Sequence, residues 1–420
     1  SEGSVQRAFR RSLESAAVSA FGSLVIGTAL ALASGLTDLR AKGLFVFLLL
    51  LPMMIPPHVT AIAWIQALGP GSPVLGWLGI APEIGSTHPL YSGGGVMLLL
   101  TLQHMPLVLL VVLAALRALP REVSEAARLA GARPIRVLRR ILLPILRPTL
   151  ITGFALAFVS ALGNFGIPAR YTTLPVLIWR RLSSFGPSVL TDVAVISLIV
   201  ALLAVAALLL QRLLQARAAT LSGPPQPPLR IALGRWRPLA EAAVALYVLA
   251  TLALPMAALV ATALVKTYGL PLTAETLTWK NFAQVLLHQD VTLRAFANST
   301  LVAGLAALLL AGLAVVLSYY LDRRRHRAAR QVSGAVLALA DVAYAIPGLV
   351  ISIAFILAFL RPLPVLGVSL YNTLWIIGLA YVCAFFAVAL KPVAAAQAAL
   401  DPALDDAARV AGAGFGRRMR

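Results

Sequence analysis

The sequence predicts an all-α protein that crosses a membrane many times and consists of two homologous halves in tandem. Hydrophobic residues make up 60% of the chain and charged residues 12%, and the mean hydropathy is +0.90. A soluble domain cannot bury that much apolar surface. Long apolar stretches recur along the chain, and a motif around Ala126 returns around Ala407. Together these observations indicate a polytopic membrane protein with an internal, pseudo-symmetric repeat.

Nine apolar stretches are long enough to span a bilayer core, which takes about 20 helical residues. They lie at residues 13–36, 43–68, 94–118, 143–162, 189–214, 239–264, 297–321, 332–360 and 372–396. Short polar or basic loops separate them. We therefore expect nine transmembrane helices in these 420 residues.

The basic residues are distributed unevenly between the two sides that alternating spans define. Of the 35 Lys and Arg residues, 25 fall in loops on one side, namely 37–42, 117–147, 211–237, 322–331 and 391–420. This asymmetry is the positive-inside signal, so those loops are predicted to be cytoplasmic. Contact of some arginines with anionic lipid is compatible with it. Nucleic-acid binding is disfavoured, because membrane spans interrupt the basic loops and no aromatic platform accompanies them.

The repeat divides the chain into a first half at 1–216, a cytoplasmic linker at 217–237 and a second half at 238–420. Four prolines, Pro224, Pro225, Pro227 and Pro228, exclude helix from the linker and favour an extended segment. A long loop without a connecting role fits the same sequence.

The repeat also leads us to expect helices beyond both ends. A span precedes the external segment 265–295 of the second half, whereas the first half begins within its equivalent. The second half stops within its copy of the motif, and two spans follow the first copy. A complete protein of this kind would have about twelve spans, six in each half.

The repeated motif is specific. Its first copy contains Glu125, Ala126, Ala127, Gly131 and the run Ile141-Leu142-Leu143-Pro144, and its second copy contains Asp406, Ala407, Ala408 and Gly412. This pattern resembles the EAA signature of the permease subunits of ATP-binding-cassette (ABC) importers, and the first copy satisfies every position. The resemblance implies the type I importer permease architecture in a bacterial inner membrane, with both halves forming one translocation unit.

Two short helices joined by a turn are predicted around the first motif copy. Pro120 and the acidic residues after it suit the start of a helix. Gly131 allows a left-handed turn or a close backbone approach. Pro134 begins a second, amphipathic helix, which is predicted to lie along the membrane interface.

The resemblance assigns a partner to these helices. It implies that the first is a coupling helix inserted into a cleft of an ATPase subunit, with Glu125 and Gly131 at the contact. The equivalent contact of the second half would involve Asp406, which is one methylene shorter than Glu. An interfacial anchor without a partner is the alternative.

Two spans contain predicted breaks, which are tolerated at membrane depth where they face protein or water. Asp341, Tyr344 and Pro347 lie at the break of the second half, and Pro56 lies at the equivalent place in the first half. An ionisable group within a span often faces a cavity or a partner, so Asp341 is a candidate pathway residue. A solvated position near the cytosolic interface is an equal alternative.

Asn164, Phe165 and Pro168 belong to a segment rich in glycine and proline that ends a span. The resemblance to permeases of the ferric iron type implies that such a segment approaches the outer gate. The alternative reading of Asn164 is a simple helix C-cap.

Catalytic and metal sites are disfavoured by the residues themselves. Cys383 is the one cysteine, the five histidines are dispersed, and the sequence has no P-loop. No enzyme activity, cofactor or resident metal is therefore expected. ATP hydrolysis must come from a separate ATPase subunit.

These expectations combine into a binding-protein-dependent importer subunit, with ferric iron as the best family-level match for the solute. A periplasmic binding protein would select the solute and dock on the external segments 69–92 and 265–295. Relatives that import thiamine, polyamines or phosphonates have the same architecture. A repeat-built secondary transporter would leave the EAA motifs unexplained, and nothing specific supports a membrane scaffold or sensor.

Overall fold

The computed structural model describes residues 2–83, 85–86, 88–117, 131–168, 171–184, 189–215, 231–267, 269–270, 272–320, 327–362, 367, 369–399, 402–414 and 417. These residues are mostly helical, as the sequence predicts, and the part of the chain described contains isolated bridges but no named strand.

The helices of the N-terminal part are α1 Glu2–Leu36, α2 Lys42–Met54, α3 Pro57–Leu68, α4 Pro73–Trp77, α5 Gly93–Arg117, α6 Pro134–Val137, α7 Leu143–Leu162, α8 Leu174–Leu182, α9 Val189–Gln215, α10 Arg237–Val248 and α11 Leu254–Ala263. The later helices are α12 Lys280–Ala283, α13 Asp290–Tyr320, α14 Arg327–Ala345, α15 Gly348–Phe359, α16 Leu374–Ala399 and α17 Pro402–Val410. Turns of π-helix occupy Leu138–Leu142, Leu249–Ala253 and Gln284–His288.

Nine candidate spans are present within the described residues, at the places that the sequence predicts. Seven are single helices that are long and apolar enough to cross a membrane. The other two are bent pairs, α2 with α3 and α14 with α15, and each pair bends by 104° at a break. The two breaks confirm the expectation drawn from Pro56 and Pro347.

The chain forms two compact units, residues 1–290 and 291–420. In the first unit α1, α5 and α7 pack against one another and form the centre. Ser23 Oγ of α1 donates a hydrogen bond to the Thr101 carbonyl of α5 at 2.9 Å, and Gly35 lies against Leu116 further along. Since both residue numbers increase together, α1 and α5 run parallel. In the second unit α16 packs on α14 and α15.

Contacts in the first unit group the loops as the charge count requires. On one side, Ile231 N donates to the Leu36 carbonyl at 2.6 Å, which brings the end of the linker to the 37–42 loop. On the other side, Leu174 N donates to Ser12 Oγ at 2.8 Å. Segments predicted to share a side of the membrane therefore lie together.

The prediction of a separate interfacial helix after Pro134 is wrong, because this segment is continuous with the next span. Instead of a separate helix, α6 continues through the π-helical turn directly into α7, so that residues 135–162 form one apolar helix of 28 residues. Val137 and Leu142 are buried in the same apolar cluster as Leu36 and Leu39. This burial draws the segment into the bundle, whereas its exposed Arg139 and Arg140 remain on the outside.

The first helix is also longer than predicted, because it begins at Glu2 and not near residue 13. Residues 2–13 contain no proline, and their one glycine, Gly3, lies at the first turn of the helix. Ser15 Oγ donates a hydrogen bond to the Arg11 carbonyl at 2.7 Å. Hydropathy identifies the apolar part of a helix, but polar turns can extend it beyond that part.

Candidate functional site

The second motif copy lies on α17, a helix with a well-defined end. Pro402 occupies its first position, where a missing N–H costs no hydrogen bond. At its C-terminus, Gly412 N donates to the Arg409 carbonyl and Ala413 N to the Ala408 carbonyl, both at 2.9 Å. This pair of bonds is a Schellman motif, which requires a left-handed residue after the helix.

Gly412 supplies that residue with a φ of +76°. Gly131, its equivalent in the first copy, has a φ of +77°. The left-handed turn predicted at Gly131 is therefore present, and it recurs in the second half. A Cβ at either glycine would meet no described atom within 4 Å, so conformation rather than crowding favours glycine at both positions.

The surface of α17 combines small and apolar side chains. Val410 is 91% exposed, Ala407 is exposed and Ala408 is half-buried. Asp406 lies in the same helix. Glu125, Ala126 and Ala127 of the first copy lie outside the described residues. The coupling role of both copies remains a prediction.

In the first half, the break between α2 and α3 meets the predicted gate segment. Pro56 is exposed at the break and Pro57 starts α3. A Cβ on Gly166 would lie 2.9 Å from the His58 backbone nitrogen, so only glycine permits this approach. Two segments that the sequence singles out separately are therefore neighbours.

Asn164 is 9% exposed, and its Oδ1 accepts a hydrogen bond from Ile167 N at 3.2 Å. This bond stabilises the turn after α7, whereas the C-cap of α7 is Gly163. Phe165 is 41% exposed, and Pro168 is buried. The gate role of these residues stays a prediction.

The break of the second half has a similar construction. Ile346 N bonds to the Val342 and Ala343 carbonyls at 3.2 and 3.3 Å, and Pro347 then ends the helix. Pro347 is buried, whereas Tyr344 is 46% exposed. Asp341 lies in α14 four residues before its last residue. A pathway role for these residues likewise stays a prediction.

Two groups of functional interest were not selected from the sequence. Gln103 and His104, in the middle of α5, are both buried, and their polarity within an apolar span was an available signal. The other group joins the 37–42 loop to α10. Asp38 Oδ1 accepts from Leu233 N at 2.9 Å, and Glu241 Oε1 accepts from Arg40 N at 2.7 Å and from Arg237 Nε at 3.1 Å.

The pKa of the Asp38 carboxyl lies below its usual value, chiefly because the Leu233 backbone N–H donates to it and further because Arg237 is nearby. The Arg237 guanidinium lies 3.8 Å from Asp38 Oδ2. We call Asp38, Arg40, Arg237 and Glu241 the loop latch. It holds the start of α10 against the 37–42 loop.

No group of three or more His, Cys, Asp or Glu side chains that could hold a metal occurs in the described part of the chain. The described residues instead contain two candidate spans that are each broken by a bend, and a left-handed glycine in each motif copy, Gly131 and Gly412. Broken helices of this kind occur in transport proteins. Together with the nine candidate spans, these features are typical of a membrane transport protein.

The chain belongs to the family described as the binding-protein-dependent transport system inner membrane component, which residues 23–220 match. It is 30% identical over 190 residues to the molybdenum transport system permease protein ModB of Mycobacterium bovis, covering 42% of this chain and 69% of ModB. It is therefore an ABC importer permease subunit, a multi-pass membrane protein and not itself an enzyme. Membership of the family generally implies ATPase and solute-binding partners.

Two further similarities extend the comparison. The probable ABC transporter permease protein y4fN of Sinorhizobium fredii is 28% identical over 324 residues, which cover 73% of this chain and 54% of y4fN. The probable sulfate transport system permease protein cysT of Nephroselmis olivacea is 33% identical over 135 residues, which cover 30% of this chain and 48% of cysT. This chain thus spans about half the length of each of these two relatives.

Proposed function

We propose that this chain lines the translocation pathway of an importer in the bacterial inner membrane and couples it to an ATPase dimer through both motif copies. The observation that carries the proposal is the matched pair of left-handed glycines, Gly131 and Gly412, each in its own motif copy. Two equivalent contacts are what a dimeric ATPase requires of two homologous halves.

The exposed surface of α17 suits insertion into a cleft. Burial of the exposed Val410 against a partner would be favourable, because it removes apolar surface from water. The small Ala407 permits close approach of a partner backbone. Because α16 ends at Ala399 and α17 begins at Pro402, displacement of α17 would be passed to α16. The same reasoning applies by homology to residues 119–131.

The solute has two candidates. Ferric iron follows from the resemblance of the segments 163–168 and 344–348 to ferric iron permeases. A tetrahedral oxyanion such as molybdate or sulfate follows from the similarity to ModB and cysT, whose names state those transport systems.

For either solute, the candidate pathway residues are mainly neutral: Asn164, Phe165 and Tyr344. Ferric iron prefers hard oxygen ligands, and Asp341 is the main carboxylate on offer. We therefore propose that the pathway holds the solute only transiently. A binding protein that docks on the external segments 69–92 and 265–295 would select and deliver it.

The test is uptake of labelled ferric iron, molybdate and sulfate by cells that carry the complete transporter, with and without its binding protein. Uptake of one of these solutes that requires the binding protein supports the proposal and identifies the solute. Uptake that persists without the binding protein contradicts delivery. Uptake that continues after the ATPase is inactivated would instead support a secondary transporter.

A further inference from the structure

Gln103 of α5 crosses to the break between α2 and α3. Its Nε2 donates hydrogen bonds to the Pro52 carbonyl at 3.0 Å and to the Ile55 carbonyl at 3.2 Å. The side chain is 7% exposed, and its Oε1 is buried without a partner among the described residues. Only the amide nitrogen can donate to carbonyls, so the two bonds fix the orientation of the side chain.

The break leaves these carbonyls in need of donors. In an uninterrupted helix, the Pro52 carbonyl would accept from the backbone N–H of residue 56, but Pro56 has none. Ile55 N approaches the Pro52 carbonyl at 3.3 Å and satisfies it only in part. The Ile55 carbonyl also lacks its helical donor, because Val59 N turns to the Pro56 carbonyl at 2.9 Å. Pro52 and Ile55 are half-buried, and carbonyls withdrawn from water without donors are costly. Gln103 donates to both.

The direction of α3 matters because it sets the contact with the 163–168 segment. His58 is the second residue of α3, and its backbone nitrogen is the atom that a Cβ on Gly166 would approach to 2.9 Å. A rotation of α3 about the break would open or close this contact. Gln103 therefore acts on the candidate gate through the break, without touching it.

The equivalent position of the second half cannot supply such a donor. The repeat places Ala384 of α16 where α5 has Gln103, a register that also pairs the fully buried Leu109 and Leu390. Alanine has no side-chain donor. The break at Pro347 bends by the same 104° without an amide from this position.

We propose that Gln103 is a positioning residue that holds the break of the first half at a fixed angle, so that the Gly166 segment stays against α3. The break of the second half, with Ala384 at the equivalent position, is the one left free to change angle during transport. This asymmetry between the halves rests on the two hydrogen bonds of Gln103 and on the alanine at position 384. Only its consequence for transport rests on the proposed function.

The direct test is amide hydrogen exchange of Val59 and Thr60 in the intact chain in lipid nanodiscs, since both amides bond to the Pro56 carbonyl at the break. Gln103→Met keeps the length of the side chain and removes the donor. Loss of two neutral hydrogen bonds predicts exchange faster by roughly 10- to 30-fold. The matched control is Gln66→Met in α3, a half-buried Gln farther from the break.

A third variant separates positioning from general destabilisation. The neutral acid of Gln103→Glu can donate one hydrogen bond to a carbonyl, whereas its ionised form cannot. Protection of Val59 and Thr60 should therefore recover as the pH falls in this variant alone. His58 and His104 are present in all variants, so the wild type and Gln103→Met show any pH dependence that they contribute.

Unchanged exchange in Gln103→Met, equal acceleration in Gln66→Met, or no recovery of Gln103→Glu at low pH would each overturn the inference. In transport assays, Gln103→Met should lower solute-stimulated ATP hydrolysis by a similar factor, and Gln103→Glu should regain it at low pH. If the wild type transports none of the candidate solutes, the proposed function fails, while the exchange measurement still decides the role of Gln103.

Discussion

Replacement of Gly412 by alanine should weaken the end of α17. The left-handed φ of +76° is open to glycine without a steric penalty, whereas alanine there places Cβ too close to the following carbonyl oxygen. The cost is about 1–2 kcal/mol. Since 1.4 kcal/mol is a factor of ten, the population that keeps the Schellman end should fall by roughly 5- to 30-fold.

The amide of Ala413 reports this change directly, because it bonds to the Ala408 carbonyl at 2.9 Å only when the motif is formed. Its hydrogen exchange should accelerate by about the same 5- to 30-fold factor. With the partner ATPase present, solute-stimulated ATP hydrolysis should fall as well, while insertion of the protein into the membrane stays normal.

Two companion variants control for other effects. Gly414→Ala adds the same methyl group two residues away, where the backbone is not left-handed and no described atom lies within 4 Å. Gly412→Asn tolerates the left-handed conformation better than alanine. Wild-type exchange in Gly412→Ala, or equal effects in Gly412→Ala and Gly414→Ala, would refute the conformational reasoning.

Three further predictions concern coupling, topology and the latch. Gly131→Trp should abolish solute-stimulated ATP hydrolysis without loss of membrane insertion, and normal stimulation in reconstituted vesicles would contradict the coupling role. A cysteine at Ser86 should react with an impermeant thiol reagent from the periplasm and one at Ser222 should not; the reverse labelling would overturn the charge-based topology. Asp38→Asn should loosen the latch, measured as faster proteolysis of the linker. Because the pKa of Asp38 is lowered on folding, its contribution is present above the unfolded-state pKa and is lost as the pH falls through the folded-state pKa. Linker cleavage in the wild type should therefore accelerate in acid, and equal acceleration in Asp38→Asn would contradict this.

Several elements of the fold follow from local sequence alone. Each span is an apolar stretch whose backbone must satisfy its own hydrogen bonds in lipid, so hydropathy places the helices. Pro56 and Pro347 remove backbone donors, which predicts both breaks. Gly131 and Gly412 recur in equivalent motif copies, which predicts a left-handed turn in each. These are properties of single segments, and the structure contains them all.

What only the tertiary structure decided depends on contacts between segments. The continuity of α6 with α7 follows from the burial of Val137 and Leu142 in the apolar cluster at the C-terminal end of α1. The local sequence after Pro134 alone predicts an interfacial helix. Asp38 and Leu233 are 195 positions apart, and Gln103 lies 51 positions from Pro52. Hydropathy shows which segments can enter a membrane, and motif spacing shows which segments are repeated. The partners of a buried amide or carboxylate are set by how the helices pack, because a hydrogen bond requires its two atoms to be within about 3 Å of each other.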